Sequence, residues 1–453
     1  MKREFEANWA SLDSRKIPGW FQNSKFGIFI HWGVYSVPAW RGTNDKLFGS
    51  YAEWYYASVY SDYENHDPGF HEQHFGKDFK YRDFVSDFKA DLFDAKKWVQ
   101  LFKYAGAKYV VLTTKHHEGY CLWPTKNPHK KNWRVTDVGP AFDIVGALSE
   151  EVKNQGLRMG FYYSIIEWET NWSHRPKSGY FVPEKDRRLY GMDEAKYAQE
   201  ILLPQLKELV ETYQPSLIFS DGGEWDLSEE YTQTKEFLAW LYNHPAVSDE
   251  IVVNDRFFKG MPETHGDYYS TEYNDKGGFL DVHPWEESRG IGKSYGFNRA
   301  EDISSYHSFE ELIKEMVAII TKGGNFLLNV GPTADGRIPV IQEERLTQIG
   351  DWMSINEEAI YDTQTGDKIV RNYPATVKNS AVYVFSFAMN DSVTIQLTEN
   401  HPVKKVSILG IEDPIQFKQK QQQIKIKLPE LAIYQLLNAK NIGFVTYVIK
   451  LEL

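Results

Sequence analysis

The stretch YVVLTTKHHEG, residues 109–119, decides the fold that the sequence predicts. Its first six residues are almost continuously apolar or β-branched, which is typical of a strand buried on both faces. The polar group KHHE, residues 115–118, follows directly. Strands buried on both faces belong to parallel sheets covered by helices, so the stretch predicts an α/β fold with polar chemistry at the carboxyl end of a strand.

The same pattern recurs through the first three-quarters of the chain, with helical patterns between the apolar runs. Asp94 caps one predicted helix, Ser308 with Glu311 forms a capping box for another, and a third carries Pro204 as a kink. The other predicted strands are Gly27–Trp32, Met159–Ser164, Ser216–Asp221, Ile251–Arg256 and Asn325–Gly331, with a weaker one at Asp267–Ser270. This alternation predicts a TIM-type (β/α)8-like barrel, with a doubly wound sheet as the alternative.

The pattern changes after Tyr361. Short, partly alternating strands separated by polar loops are predicted at Ala381–Phe387, Val393–Leu397, Val403–Leu409, Ile424–Leu428 and Phe444–Leu451. Such a series is typical of an antiparallel β-sandwich. The sequence therefore predicts a catalytic barrel over residues 1–361 and a C-terminal β-sandwich domain over residues 366–453, joined by a short polar segment.

Composition restricts the classes of partner. The 453-residue chain carries 51 Lys and Arg against 63 Asp and Glu, a formal net charge of −12, which argues against nucleic acid as a partner. The single cysteine, Cys121, permits neither an intrachain disulfide nor a cysteine metal cluster. The sequence contains no membrane span and no signal peptide, so we expect a cytosolic protein or the processed form of an exported one.

Polar residues gather where the predicted strands end. His31, His116 with His117, Tyr163, Asp221 and Arg256 all occupy such positions, and the segment PWEE at 284–287 adds carboxylates beside an indole. In a parallel barrel these ends meet at one face, where the active site is built. Two carboxylates among His, Tyr, Trp and Arg suit glycoside hydrolysis, in which one carboxylate attacks the anomeric carbon and the other protonates the leaving oxygen.

Several of these segments, in this order, resemble the α-L-fucosidases of glycoside hydrolase family 29. The resemblance rests on FGIFIHWG at 26–33, EWY at 53–55, TKHHEGY at 114–120, SDG at 220–222, VNDR at 253–256 and GNFLLNVGP at 324–332. It implies a (β/α) barrel with a C-terminal β-sandwich, hydrolysis with retention of anomeric configuration, no cofactor and no metal. The implied substrate is a fucosylated oligosaccharide or glycoconjugate.

Carried over by position, the resemblance assigns the nucleophile to Asp221 and the acid/base to Glu286, with Glu287 as the alternative. The implied substrate-binding positions are His31, Glu53, Trp54, His116, His117, Tyr163 and Arg256, to which we add Trp285 and Tyr295 as candidates. One departure from related sequences is an additional glycine after Asp221, in DGGEWD at 221–226. It leaves the roles of Glu224 and Asp226 open.

Other interpretations stay open at this point. A retaining glycosidase acting on a related sugar such as galactose would use the same residue types. The histidines His66, His71 and His74, close to Asp67 and Glu72, are compatible with a transition-metal site, and so with a metal-dependent hydrolase. Loss of activity with a chelator would favour the metal site. The linkage specificity and the oligomeric state do not follow from these motifs.

Overall fold

The computed structural model describes residues 4–44, 46, 48–61, 67–172, 194–273, 283–388, 390–439 and 446–453. Its first part is built around one curled sheet of eight parallel strands. These are β1 Phe26–Ile30, β2 Tyr109–Lys115, β3 Arg158–Ser164, β4 Leu217–Asp221, β5 Val252–Val253, β6 Tyr269–Glu272, β7 Trp285–Gly290 and β8 Asn325–Val330. Their spatial order is β5-β4-β3-β2-β1-β8-β7-β6. The predicted TIM-like barrel is confirmed, and the doubly wound alternative is excluded.

The two end strands of this order, β5 and β6, are joined along what we call the seam. The backbone N–H groups of Asp267 and Tyr268 donate to the carbonyl oxygen of Val253 at 2.9 and 3.3 Å. The carboxylate of Asp255 accepts from the backbone nitrogen of Ser270 at 2.9 Å and from its hydroxyl at 2.8 Å. Asp255, at the end of a predicted strand, therefore holds the barrel closed.

Helices cover the outside of the sheet where the sequence signals predict them. The Asp94 side chain accepts from the backbone of Lys97 at 3.0 Å, and the capping box of Ser308 and Glu311 is present. The α-helices of this part are Trp9–Leu12, Gly19–Ser24, Tyr55–Tyr60, Gly69–His74, Ala95–Tyr104, Ile144–Asn154, Leu203–Tyr213, Gly223–Asp226, Glu229–Thr232, Thr234–Asn243, Phe309–Ile320 and Val340–Asn356. In the described part of the chain, none of the helices has the length and apolar character needed to cross a membrane.

The interior of the barrel is filled in layers by side chains that alternate along the strands. Phe29, Tyr162 and Phe219 meet in one layer, with ring centroids 5.1 to 6.0 Å apart. Tyr109 and Leu217 lie nearer the amino ends of their strands. The layer of Phe29 and Phe219 therefore forms the floor beneath whatever lies at the carboxyl ends.

The C-terminal part is built from two antiparallel sheets. The strands are β9 Gln364–Thr365, β10 Ala375–Lys378, β11 Ala381–Ser386, β12 Ser392–Gln396, β13 Lys405–Ile408, β14 Phe417–Lys420, β15 Gln423–Lys427 and β16 Tyr447–Glu452. One sheet has the order β13-β16-β11-β10-β9 and the other β12-β15-β14. The predicted β-sandwich is confirmed. The helix Glu430–Ala439 is not predicted, and Phe444 lies outside the described residues.

Candidate active site

A pocket of about 620 Å³ opens at the carboxyl ends of the barrel strands, above the Phe29 and Phe219 floor. This is the position that parallel barrels use for active sites. It brings together eight of the eleven side chains that the sequence assigned to a site: His31, Glu53, Trp54, His116, His117, Asp221, Arg256 and Tyr295. The other three, Tyr163, Trp285 and Glu286, lie elsewhere.

Asp221 is the last residue of β4 and is held by donors on two sides. The Tyr162 hydroxyl donates to Asp221 Oδ2 at 2.6 Å, and Arg256 Nη1 donates to Asp221 Oδ1 at 3.3 Å. Donors to both oxygens fix the direction in which the carboxyl group points. The side chain is therefore presented to the pocket as an oriented carboxylate, the form that attacks an electrophilic carbon.

The additional glycine after Asp221 makes a turn that other residues could not make. Gly222 has a φ of +85°, and a Cβ there would lie 2.8 Å from Cγ1 of Ile166. At Gly223 a Cβ would lie 2.1 Å from the carbonyl oxygen of Phe257. The helix Gly223–Asp226 begins immediately after this turn. As a result Glu224 lines the pocket, whereas the side chain of Asp226 is 53% exposed.

Arg256 is the centre of the charged part of the pocket. Its Nη1 lies 3.3 Å from Asp221, 3.7 Å from Glu272 Oε2 and 3.9 Å from Glu224 Oε1. Burial opposes the charged form of Arg256, but the surrounding carboxylates outweigh it and raise its pKa. Because Asp221 and Glu272 both contact this nitrogen, their contacting oxygens are at most about 7 Å apart.

Glu272 is the last residue of β6, which lies on the other side of β5 from β4 and Asp221. The hydroxyl of Tyr51 donates to Glu272 Oε1 at 2.6 Å. Burial raises the pKa of Glu272, against the opposing effect of Arg256. A carboxyl group whose pKa is raised in this way retains its proton at higher pH and can act as a general acid.

Glu224 is the third carboxyl group beside Arg256. Its Oε2 is buried and has no hydrogen-bond partner. Burial, and next the charge of Asp221, raise its pKa well above the ordinary value. One guanidinium cannot neutralise three carboxylates, and Glu224 has the fewest stabilising contacts of the three. Glu224 is therefore the carboxyl group of this cluster least able to ionise.

His31 and His117 are neutral hydrogen-bonding groups. Asn329 Nδ2 donates to the carbonyl oxygen of Tyr295, so Asn329 Oδ1 accepts from Nδ1 of His31 at 2.7 Å. Burial, and next His116, lower the pKa of His31, which leaves the ring neutral with Nε2 as an acceptor. Burial and His116 also lower the pKa of His117, whose Nε2 is 3.5 Å from Asp221. Neutral imidazoles can orient hydroxyl groups without adding charge.

The remaining wall combines a buried carboxyl group with aromatic rings. Glu53 Oε2 accepts from the backbone nitrogen of Gly296 at 2.8 Å, while Oε1 is buried without a partner. Burial raises the pKa of Glu53 to about 7. Trp54 contacts His117 and Trp225 edge-on or tilted, at 5.7 and 5.6 Å between ring centroids. Aromatic faces beside hydroxyl-binding groups suit a sugar, whose rings have apolar C–H faces.

The structure corrects the acid/base prediction for Glu286. Glu286 is fully buried near the amino end of β7, where it pairs with the first residue of β8, Asn325, and accepts a hydrogen bond from Tyr109. Asp221 ends its strand at the opposite face of the barrel. No strand is predicted from the sequence at the segment PWEE, whereas β7 begins at Trp285. Burial raises the pKa of Glu286 to about 8.

Two substrate-binding predictions are corrected as well. Tyr163 is buried behind the sheet, where it accepts from Lys115 Nζ at 2.9 Å and donates to Gln205 at 2.8 Å. Strand alternation turns its neighbour Tyr162 into the pocket instead. Trp285 packs against Gly324 and donates to the carbonyl oxygen of Lys322 at 3.3 Å. Both side chains therefore support the barrel wall.

Of the histidines considered for a metal, the two that the structure describes have other partners. His71 is fully buried, with Nδ1 2.8 Å from the hydroxyl of Tyr55 and Nε2 3.0 Å from the carbonyl oxygen of Phe79. His74 Nδ1 lies 2.9 Å from the carbonyl oxygen of Phe70. His66 lies outside the described residues. The described pair is part of an aromatic packing cluster.

The pocket residues that the sequence analysis missed include Tyr51, Tyr162, Glu224 and Glu272. A signal existed for two of them. The weak strand predicted at Asp267–Ser270 continues to Glu272, so the strand-end rule would have placed this carboxylate at the site. In β3, Tyr162 pairs in register with Phe219 and Ser164 with Asp221, and residues in register on parallel strands share a face.

Comparisons with known proteins agree with this geometry. Residues 1–358 match the model of the family described as "Alpha-L-fucosidase", and residues 364–452 match "Alpha-L-fucosidase C-terminal domain". The chain is 39% identical over 430 residues to an α-L-fucosidase of Dictyostelium discoideum, covering 90% of this chain and 87% of that protein. It is 38% identical over 437 residues to human tissue α-L-fucosidase, covering 95% and 89%.

Solved structures give the same result. The crystal structure of Thermotoga maritima α-fucosidase matches with a TM-score of 0.80 and 33% identity, over 99% of this chain and 100% of that chain. A second structure of that protein, in complex with fucose, matches with a TM-score of 0.80 and 32% identity, over 99% and 100% of the two chains.

Proposed function

Because the chain belongs to the α-L-fucosidase family, we propose that Asp221 and Glu272 are the two carboxyl groups that carry its reaction. The protein is a glycoside hydrolase that releases α-linked L-fucose. The observation that supports the residue assignment is the position of Arg256 Nη1, 3.3 Å from Asp221 and 3.7 Å from Glu272. It places an oriented carboxylate beside a carboxyl group of raised pKa that the Tyr51 hydroxyl holds in position, on the two strands that flank β5.

In the first step Asp221 attacks the anomeric carbon of the fucosyl group and Glu272 donates its proton to the glycosidic oxygen. The carbon–oxygen bond to the leaving group breaks, and the leaving group departs as a neutral alcohol. The products bound at this stage are a covalent fucosyl-enzyme and a Glu272 carboxylate. A retaining glycosidase has its two carboxyl groups about 5–5.5 Å apart, and the upper bound of about 7 Å between Asp221 and Glu272 accommodates this spacing.

In the second step Glu272 accepts a proton from a water molecule, and the resulting nucleophile attacks the anomeric carbon. The bond to Asp221 breaks, fucose leaves with its original configuration, and both carboxyl groups return to their starting states. Arg256 and Tyr162 stabilise the Asp221 carboxylate as it departs. His31, His116, His117 and Glu53 bind sugar hydroxyls, and the aromatic rings around Trp54 and Tyr295 contact the apolar parts of the sugar.

We propose in addition that the barrel and sandwich are separate domains over residues 1–361 and 366–453. The C-terminal part has a hydrophobic cluster of its own, and the second family match begins at residue 364. Four buried side chains of this part also pack against the core of the barrel: Ala381, Tyr383, Phe385 and Val448. Trp352 of the barrel donates to the carbonyl oxygen of Thr446 at 2.9 Å. The sandwich then acts as a support for the helix Val340–Asn356.

Azide rescue of two variants tests the assignment, because the configuration of the product identifies the residue that was removed. With Asp221→Gly, azide takes the position of the lost carboxylate and an aryl fucoside gives the β-fucosyl azide. With Glu272→Ala, azide attacks the covalent fucosyl-enzyme and gives the α-fucosyl azide. Nuclear magnetic resonance of the products distinguishes the two anomers.

Glu224→Ala is the matched control, since Glu224 lies beside the same guanidinium. We expect no α-fucosyl azide from this variant. Formation of α-fucosyl azide by Glu224→Ala and not by Glu272→Ala would transfer the acid/base role to Glu224. Hydrolysis of aryl fucoside by Asp221→Gly at the wild-type rate without azide would overturn the nucleophile assignment.

A further inference from the structure

Phe48 has an unusual position at the mouth of the pocket. Its side chain lines the pocket yet is 49% exposed, although it is a large apolar residue. Its backbone φ is +62°, in the left-handed region that bulky side chains rarely adopt. Strained backbone and an exposed apolar ring each have a cost to the folded protein, and both are found at binding sites where the ring contacts a ligand.

Phe48 is the outermost member of a row of three aromatic rings, which we call the aromatic row: Tyr295, Tyr51 and Phe48. Tyr295 lies 4.9 Å from His31, measured between ring centroids, in the depth of the pocket. Tyr51 stacks on Tyr295 at 5.2 Å with an interplanar angle of 22°. Phe48 contacts Tyr51 edge-on at 5.3 Å and 70°. The row runs from the sugar-binding depth of the pocket to solvent.

The middle ring of the row links it to the scissile bond. Tyr51 donates its hydroxyl hydrogen to Glu272 at 2.6 Å. A general acid must lie within hydrogen-bond distance of the glycosidic oxygen, so the leaving group starts next to Glu272 and extends outward. Since the fucosyl group occupies the deep end, the leaving group lies against the outer part of the aromatic row.

The charges at the mouth narrow the chemistry of that leaving group. Glu263 also lines the pocket, and its carboxyl group disfavours an acidic sugar. An aromatic ring pairs with the C–H face of a neutral pyranose. Arg41, which also lines the pocket, is a donor for sugar hydroxyls.

We propose that Phe48 is the platform of a leaving-group subsite, where its ring packs on the C–H face of a neutral pyranose. The inference rests on the proposed function, because it uses the position of Glu272 to locate the leaving group. It assigns to Phe48 a role in substrate selection.

Two substrates that differ in the leaving group test this subsite. α-L-Fucosyl fluoride has a single-atom leaving group that cannot reach Phe48. The second substrate is whichever of the α1-2-, α1-3-, α1-4- and α1-6-linked fucosyl disaccharides the wild-type protein cleaves fastest. We expect Phe48→Ala to lower the ratio of kcat/KM for the disaccharide to that for the fluoride about five- to tenfold, the size of one aromatic contact. Phe48→Trp should restore the ratio.

Leu92→Ala is the matched control, because Leu92 is 54% exposed and lies outside the pocket lining. It should leave the ratio at the wild-type value. The ratio does not depend on the fraction of each variant that folds, since both substrates are measured on one preparation. An unchanged ratio in Phe48→Ala, or a wild-type protein that cleaves the fluoride but none of the disaccharides, would overturn the subsite. Failure to cleave the fluoride at all would instead overturn the proposed function.

Discussion

Tyr162 donates a 2.6 Å hydrogen bond to Asp221, across neighbouring strands of the barrel. The next residue, Tyr163, points to the other side of the sheet and contacts Lys115 and Gln205. Two adjacent tyrosines thus have separate tasks: one orients the proposed nucleophile, and the other stabilises the barrel wall. This pair gives a first test of the site.

Tyr162→Phe should lower kcat on an aryl fucoside about tenfold to a hundredfold. Removing one oriented donor from a charged catalytic group has effects of this order or larger. Steady-state kinetics of Tyr162→Phe on an aryl fucoside measure this loss of kcat. Tyr163→Phe is the internal control, since it should retain most of the activity and lose about 1 kcal/mol of stability with its hydrogen bonds. The reverse outcome, with Tyr163→Phe as the slower enzyme, would contradict the geometry.

The activity should fall on the alkaline side of the pH profile through ionisation of Glu272. The raised pKa of Glu272 means that the acid form persists above the ordinary carboxyl range, and kcat/KM for a fucosyl disaccharide declines once it ionises. Glu272→Gln should remove this limb of the profile together with most of the disaccharide activity. If the residual activity of Glu272→Gln kept the same alkaline limb, another group would be the acid.

Glu286→Gln should keep the activity and change the pH dependence of stability. The folded-state pKa of Glu286, about 8, lies above its ordinary value of 4.5. Between these values the unfolded chain loses its proton first, so wild-type stability falls as pH rises. The Glu286→Gln variant has no carboxyl group at this position, so its stability lacks this dependence on pH. Chemical unfolding at pH 5 and pH 7.5 should show a gain for Glu286→Gln over wild type that is larger at pH 7.5, on the order of 1–3 kcal/mol.

If Glu286→Gln were as inactive as Glu272→Ala, Glu286 would again be the candidate acid/base. An equal stability difference at both pH values would mean that Glu286 is ionised in the folded protein.

Glu167 should be a major stabilising residue behind the pocket. It lies 2.8 Å from Lys115 and 2.5 Å from Lys130, and the side chains of all three are at least 95% buried. Burial alone would raise the pKa of Glu167, but the two lysines lower it to about 2. Glu167→Gln leaves two buried ammonium groups without a carboxylate, at a cost of about 3–5 kcal/mol.

Chemical unfolding of Glu167→Gln measures this loss. Adding Lys130→Met should recover part of it, since one buried charge is then removed. If the double variant recovered none of the lost stability, the charges of Glu167 and Lys130 would not be coupled.

The strands could be predicted from the sequence where the local signals agree with the burial of the residues. The apolar strands ending in His31, His116 and Asp221 could be placed without a structure, because buried parallel strands have a distinct composition. β7 was missed because it begins with Trp285, Glu286 and Glu287, and a strand that opens with two carboxyl groups resembles a functional segment. The sequence does not show that the interior of the barrel accommodates the carboxyl group of Glu286 beside Tyr109, and β7 was therefore not predicted as a strand.

The choice between Tyr162 and Tyr163, and the convergence on Arg256, could not be read from spacing alone. Which tyrosine faces inward depends on the register of β3 against β4. The three carboxyl groups around Arg256 come from β4, from the helix after it and from β6. Side chains so far apart in the chain become neighbours only through closure of the barrel.

The seam has a consequence for heat sensitivity. Arg256 follows β5 and Glu272 ends β6, so the seam runs between the proposed acid/base and the guanidinium that binds the proposed nucleophile. Two backbone hydrogen bonds join the strands there, whereas the β1–β2 and β7–β8 ladders pair four and five residues in register. Local opening requires less free energy where such bonds are few. On warming, the two catalytic carboxyl groups should separate, and turnover should stop, at a temperature below the one at which the barrel melts.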